Sequence, residues 1–182
     1  MQDRFINEVI DLLPNLRRYA ISLTRQPDLA DDLVQITVEK ALKQSQQYDP
    51  TKKLAPWLLR ILRNAWIDEM RRQSGRGAHV HVDDTTADVI SDNAASPELR
   101  LEVRQTLEAI QTLPAGQRDV VVLVCVEGLT YREAADVLDI AIGTVMSRLA
   151  RGRLALTAAV GITPTAATYA DQTDDKTETP SQ

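Results

Sequence analysis

Five side chains near the end of the sequence could meet a polyanion: Thr144, Ser147, Arg148, Arg151 and Arg153. Residues 140–153 hold three Arg and no acid, a local charge of +3. Cations suit phosphates, and hydroxyl and guanidinium donors suit base edges. A second set lies at 48–71. Trp57, Arg60, Asn64 and Arg71 recur at helical spacing behind a loop that carries Tyr48, Lys52 and Lys53. Aromatic faces on which bases stack, beside cations that track a backbone, suit a single strand. For Trp57 a core position is the stronger reading of the residue alone. A third set, Asp31, Asp32, Gln35 and Glu39, makes a polar, mostly acidic helix face. Acids early in a helix favour its dipole, and a docking face for a basic partner is the alternative.

Catalytic patterns are missing. The sequence has no Ser/His/Asp or Cys/His arrangement and no glycine-rich phosphate cradle. His79 and His81 with one distant Cys do not complete a tetrahedral metal site. A non-enzyme without metal or cofactor is expected. One Cys also rules out an internal disulfide framework. The first residues lack a charged-then-apolar leader pattern, and no apolar run approaches the ~20 residues of a membrane span. A cytoplasmic protein without membrane insertion is the expectation.

The elements that must position these residues read as helices throughout. Gly128 to Arg153 predicts two helices and a tight turn. Thr130 and Glu133 have capping-box spacing, and Leu129 with Ala134 has that of a hydrophobic staple. Gly128 suits a left-handed stop, and Asp139 falls in the turn, where Asp tolerates left-handed geometry. Val145, Leu149, Leu154 and Leu156 are expected to anchor the second helix, leaving Thr144, Ser147, Arg148, Arg151 and Arg153 outward.

Upstream, residues 5–23 predict a helix that Pro14 kinks or splits. Pro27 opens the next, running to about Gln44 with Leu29, Leu33 and Ile36 inward. Pro56 suits the first turn of a third over 56–73, with Leu58, Ile61, Leu62, Ala65 and Trp66 buried. Ser96, Pro97 and Glu98 open another helix. Val120–Val126 has strand propensity but no partner strand, so a buried helix is expected.

Charge is distributed unevenly within a total of −5. Residues 52–74 carry six basic and two acidic groups, and 77–98 carry five acids and no base. Local patches, not the total, decide where polyanions bind. The expected organisation is a helical domain at 1–74, an acidic flexible linker at 75–95, a helix-turn-helix domain at 96–160 and a disordered polar tail at 161–182.

Taken together, ADDLVQITVEKAL (30–42), YDPTKKLAPWLLRILRNAWIDEMRR (48–72) and LPAGQRDVVVLVCVEGLTYREAADVLDIAIGTVMSRLARGRLAL (113–156) resemble a bacterial RNA polymerase sigma factor of the small extracytoplasmic-function class. The resemblance implies an all-α chain with a sigma-2-like and a sigma-4-like domain. It implies that Asp31, Asp32, Leu33 and Gln35 dock on the clamp coiled coil of core RNA polymerase. Tyr48, Lys52, Lys53, Trp57, Arg60, Asn64 and Arg71 would read and help open the −10 element. The C-terminal domain would lie on the β-flap and place Thr144, Ser147, Arg148, Arg151 and Arg153 at the −35 element of promoter DNA. An anti-sigma protein is implied only at family level. The sequence departs from the family at Ile36, Asp139, Ala141, Met146 and Ala150, the last three at positions that help read −35 bases. Two rival readings are a helix-turn-helix regulator that acts without polymerase and a sigma-like decoy for an anti-sigma protein.

Overall fold

The computed structural model describes residues 2–75 and 97–160, and side chains within 3–74 and 104–159. All regular structure among them is helical. The N-terminal module holds α1 (Gln2–Asp11), α2 (Leu13–Thr24), α3 (Pro27–Lys43), a 3₁₀ turn (Ser45–Gln47) and α4 (Leu54–Gly75). The C-terminal module holds α5 (Pro97–Thr112), α6 (Ala115–Val121), a π-helical turn (Val122–Val126), α7 (Tyr131–Leu138) and α8 (Ile142–Val160). The expected linker, the His79–His81 pair, the Ser96 cap and the tail lie outside the described residues.

Proline sets the local breaks. Pro14 lies in the first turn of α2, where its missing N–H costs nothing. The amphipathic run therefore divides into two helices at Leu12. Pro27 starts α3 in the same way. In α4 the start lies two residues before Pro56, so Pro56 still falls within the first turn. α2 ends on Arg25, whose φ of 58° is left-handed without being glycine; its N–H donates to the Ile21 carbonyl.

Val120–Val126 is helical, as the lack of a partner strand implied. It does not continue as an α-helix: from Val122 it widens into the π turn, and the Glu127 amide donates to the Val122 carbonyl at 2.9 Å. Val120 to Val124 are buried, whereas Cys125 and Val126 are exposed. α6 and α8 cross closely at Gly152, where a Cβ would meet Val121 Cγ2 at 2.7 Å.

The described elements of the two modules touch. One buried cluster runs from Val9, Leu16 and Tyr19 through Leu58 and Leu62 to Val120, Leu123, Val145 and Leu149. α4 packs on α7, and α2 packs on α6 and the π turn. Polar bridges cross the seam among the described residues. Arg18 donates to both Glu127 carboxylate oxygens at 3.1 and 3.2 Å, with Asn15 adding a bond to Glu127 at 2.6 Å. Arg63 donates to Asp119 at 2.9 Å, Lys53 pairs with Glu133 at 3.1 Å, and Arg25 donates to the Gln111 carbonyl at 2.7 Å. In each bridge the N-terminal module supplies the donor.

Candidate nucleic-acid interface

The helix-turn-helix forms as its local signals require. Thr130 Oγ1 accepts from the Glu133 amide at 3.2 Å, and the Glu133 carboxylate accepts from the Thr130 amide at 2.8 Å. Gly128 takes φ 70° and Asp139 takes φ 52°, the latter ending α7 with its N–H on the Ala135 carbonyl. Leu129, Ala134, Ala135, Val137 and Leu138 are buried. Burial alone would push the Glu133 carboxyl up. The Thr130 amide and Lys53 outweigh burial and hold it below the usual carboxylate range.

α8 is pinned by Val145 and Leu149, at 0% and 2% exposure. Its polar residues divide among three directions. Ser147 and Arg151 face outward, with Thr144 half-exposed beside them. Ser147 Oγ donates to the Thr144 carbonyl and Arg151 Nε to the Ser147 carbonyl, which orients both along the helix. Arg148, by contrast, lies over α6: a Cβ on Gly116 would come within 3.1 Å of its guanidinium. Arg153 turns to the other flank, where Nη2 lies 3.7 Å from Cys125 Sγ. Of the five expected largely outward, Ser147 and Arg151 are exposed, while Thr144, Arg148 and Arg153 are half-exposed, the last two turned toward α6 and Cys125. Leu154 is likewise exposed rather than an anchor, because the close crossing at Gly152 rolls it away from α6. The outward arc instead includes Ile142 and Met146, which charge-based reasoning overlooks. The spacing of Val145 and Leu149 was the signal that would have found them.

α4 presents Arg60, Asn64 and Arg71 exposed, with Asp68 between them. Asp68 lies 3.8 Å from Lys40, so its charge is partly met from α3. Leu58, Leu62 and Ala65 fix the opposite face in the core. Trp57 is half-buried and meets Tyr48 at 5.4 Å and Phe5 at 6.2 Å between ring centroids; Phe5 and Tyr48 are 5.8 Å apart. Both the core and the surface reading of Trp57 are thus partly met. Phe5, from α1, carried no signal beyond helical spacing. The loop that follows is shaped locally: Asp49 accepts from the Thr51 amide at 3.0 Å and its hydroxyl at 2.7 Å, which holds the Asp49 carboxyl below its usual range. The Tyr48 hydroxyl donates to the Lys52 carbonyl. Lys52 and Lys53 are exposed, Lys53 next to Glu133.

On α3, Asp31, Asp32, Gln35 and Ile36 are exposed. Asp31 accepts from Arg17 at 2.7 Å. Leu33, expected inward, lies in the core at 4% exposure. Ile36, expected inward, is 40% exposed, because the buried stripe runs Ala30–Leu33–Thr37–Ala41. The described residues hold no cluster of three or more metal-ligating side chains. No helix among them is long and apolar enough to cross a membrane.

With this geometry in hand, the comparisons with known proteins agree. Residues 9–76 match the family Sigma-70 region 2, and residues 104–156 match Sigma-70, region 4. The chain is 32% identical over 160 residues to the ECF RNA polymerase sigma factor EcfG of Rhodopseudomonas palustris, covering 87% of this chain and 86% of that one. It is 31% identical to the ECF RNA polymerase sigma factor SigM of Bacillus subtilis, covering 84% and 93%. Among solved structures, the sigma factor RpoE in complex with the anti-sigma factor NepR from Bartonella quintana superposes with a TM-score of 0.75 at 30% identity, covering 90% of this chain and all of that one. CnrH in complex with the cytosolic domain of CnrY follows with a TM-score of 0.63 at 26% identity. Two helical modules in this order, with a capped helix-turn-helix in the second, therefore carry a family signature along most of the sequence: the chain belongs to the ECF class of RNA polymerase sigma factors.

Proposed function

We propose that this chain is a promoter-specificity subunit that joins core RNA polymerase and directs it to paired −35 and −10 elements. The reading rests above all on two exposed basic surfaces carried by separate modules: Arg60, Asn64 and Arg71 on α4, and Ser147 and Arg151 on α8. The α8 surface would enter the −35 major groove by its N-terminal half, as second helices of helix-turn-helix proteins do. The α4 surface and the Tyr48–Lys53 loop would hold the unpaired −10 strand. Extruding a base costs a few kcal/mol, and stacking plus phosphate contacts together offset it. The acidic α3 face, with Asp32 and Gln35 foremost, would meet the clamp coiled coil, and the C-terminal module would rest on the β-flap. The solved relatives bound to anti-sigma partners favour the same kind of control here.

The test is transcription from defined templates. Purified chain with core polymerase should start transcripts at specific promoters, while the chain alone should bind duplex DNA weakly. Tight, sequence-specific duplex binding by the chain alone would point to a regulator independent of polymerase. Failure to associate with core enzyme would point to a module that only sequesters an anti-sigma protein.

A further inference from the structure

Resting on that reading of α8, we propose that Ile142 and Met146 select thymine in the −35 element by packing on its C5 methyl group. The two residues are 46% and 53% exposed on the first two turns of the helix. They stand four apart and therefore on one side of it. α8 packs on α5, α6 and α7, and Val145 and Leu149 hold its inner face. Ile142 and Met146 are left over by that packing.

What flanks them narrows the occupant. Gly143 and Ala150 lie seven apart, nearly in line, and both are exposed. A Cβ on Gly143 would meet nothing within 4 Å. The middle of the outward arc is thus shallow, so the helix can approach a groove floor closely. Beyond it stand Ser147 and Arg151, a hydroxyl and a cation. Residues 140–153 carry no acid to repel a phosphate. An apolar edge beside a shallow centre and a polar, cationic edge fits duplex DNA. In the major groove the thymine methyl is the apolar feature of the base edges, the others being donors and acceptors. Cytosine, guanine or adenine against Ile142 and Met146 would lose hydration without a replacement bond. Methionine's unbranched thioether can settle on the methyl without strict geometry.

The experiment uses the holoenzyme on a promoter whose start site and −35 footprint are known. Each −35 thymine is replaced singly by deoxyuridine, which removes only the methyl. Wild-type holoenzyme should bind roughly fourfold more weakly at one or two of these positions, the factor that ~0.8 kcal/mol per methyl gives at 1.4 kcal/mol per tenfold. Met146→Ala should lose affinity for the thymine promoter and become indifferent to the same replacement, while Arg151→Ala stays sensitive to it. The Met146 side chain is exposed, so thermal unfolding of Met146→Ala should match wild type. A normal −35 footprint with indifference to every replacement overturns the methyl contact and leaves the −35 reading standing. Absence of any −35 footprint removes both. Sensitivity that persists in both Met146→Ala and Ile142→Ala also overturns the assignment, because some other group then touches the methyl.

Discussion

At the residue scale, Asp119 is a buried charge in a cationic setting. It is 6% exposed, accepts from Arg63 at 2.9 Å and has Arg118 and Arg148 nearby. Burial pushes its carboxyl up, and the three arginines pull it back only in part. The native state therefore holds the Asp119 proton more tightly than the unfolded chain does. Its contribution to stability is full below the ordinary carboxylate value and falls as pH rises through the raised one. Arg63→Ala should sharpen this dependence. With its hydrogen-bonded partner gone, the buried carboxylate at neutral pH keeps only the charges of Arg118 and Arg148; breaking a buried pair costs roughly 3 kcal/mol where no other charge helps, so the loss here should be up to about that size. Urea unfolding should show that loss near neutrality and a progressively smaller one as pH falls and the raised carboxyl takes up its proton. A loss independent of pH would mean that Arg63 acts through packing alone. Tyr19 lies in the same region; it is fully buried, and its burial pushes its phenol well above the ordinary value.

At the element scale, local rules were readable and mutual orientation was not. Capping box, Gly128 stop and Asp139 turn all follow from neighbours within a few positions, and all three are present. The fate of Arg148, Arg153 and Leu154 depends on the roll of α8 about its axis. That roll is set by Gly152 against Val121 and Gln117, a contact spanning some thirty residues of chain. The π turn is similarly hidden, since no composition distinguishes Val122–Val126 from an ordinary buried helix. Gly152→Ala tests the crossing. Its Cβ would come within 2.7 Å of Val121 Cγ2, and overpacking of this kind costs about 1–3 kcal/mol. Thermal unfolding should detect it. Gly143→Ala, with nothing within 4 Å, should instead be neutral or stabilising, since alanine is the better helix former.

At the scale of the whole molecule the modules share one core and a seam of ionic contacts. Asn15 and Arg18 reach Glu127 from more than a hundred residues away. No periodicity marks such a pairing, so these contacts between the modules were not legible in the sequence. The Glu127 side chain is fully enclosed, while that of Arg18 is 38% exposed. Glu127→Ala should therefore cost little in either module alone and loosen the seam. Small-angle scattering should report a larger radius of gyration for Glu127→Ala than for wild type; an unchanged radius would mean that the shared apolar core alone holds the modules. The sense of the bridges has a further effect. At the three ion pairs, positive plates on one side face negative ones on the other, as in a charged capacitor, so dissolved ions discharge all three in the same direction. Discharge begins where water already reaches: the Lys53 side chain is 70% exposed, that of Arg63 only 19%. Added electrolyte would unzip the join from its Lys53 rim toward Arg63, and the last rivet to yield would be the one farthest from solvent.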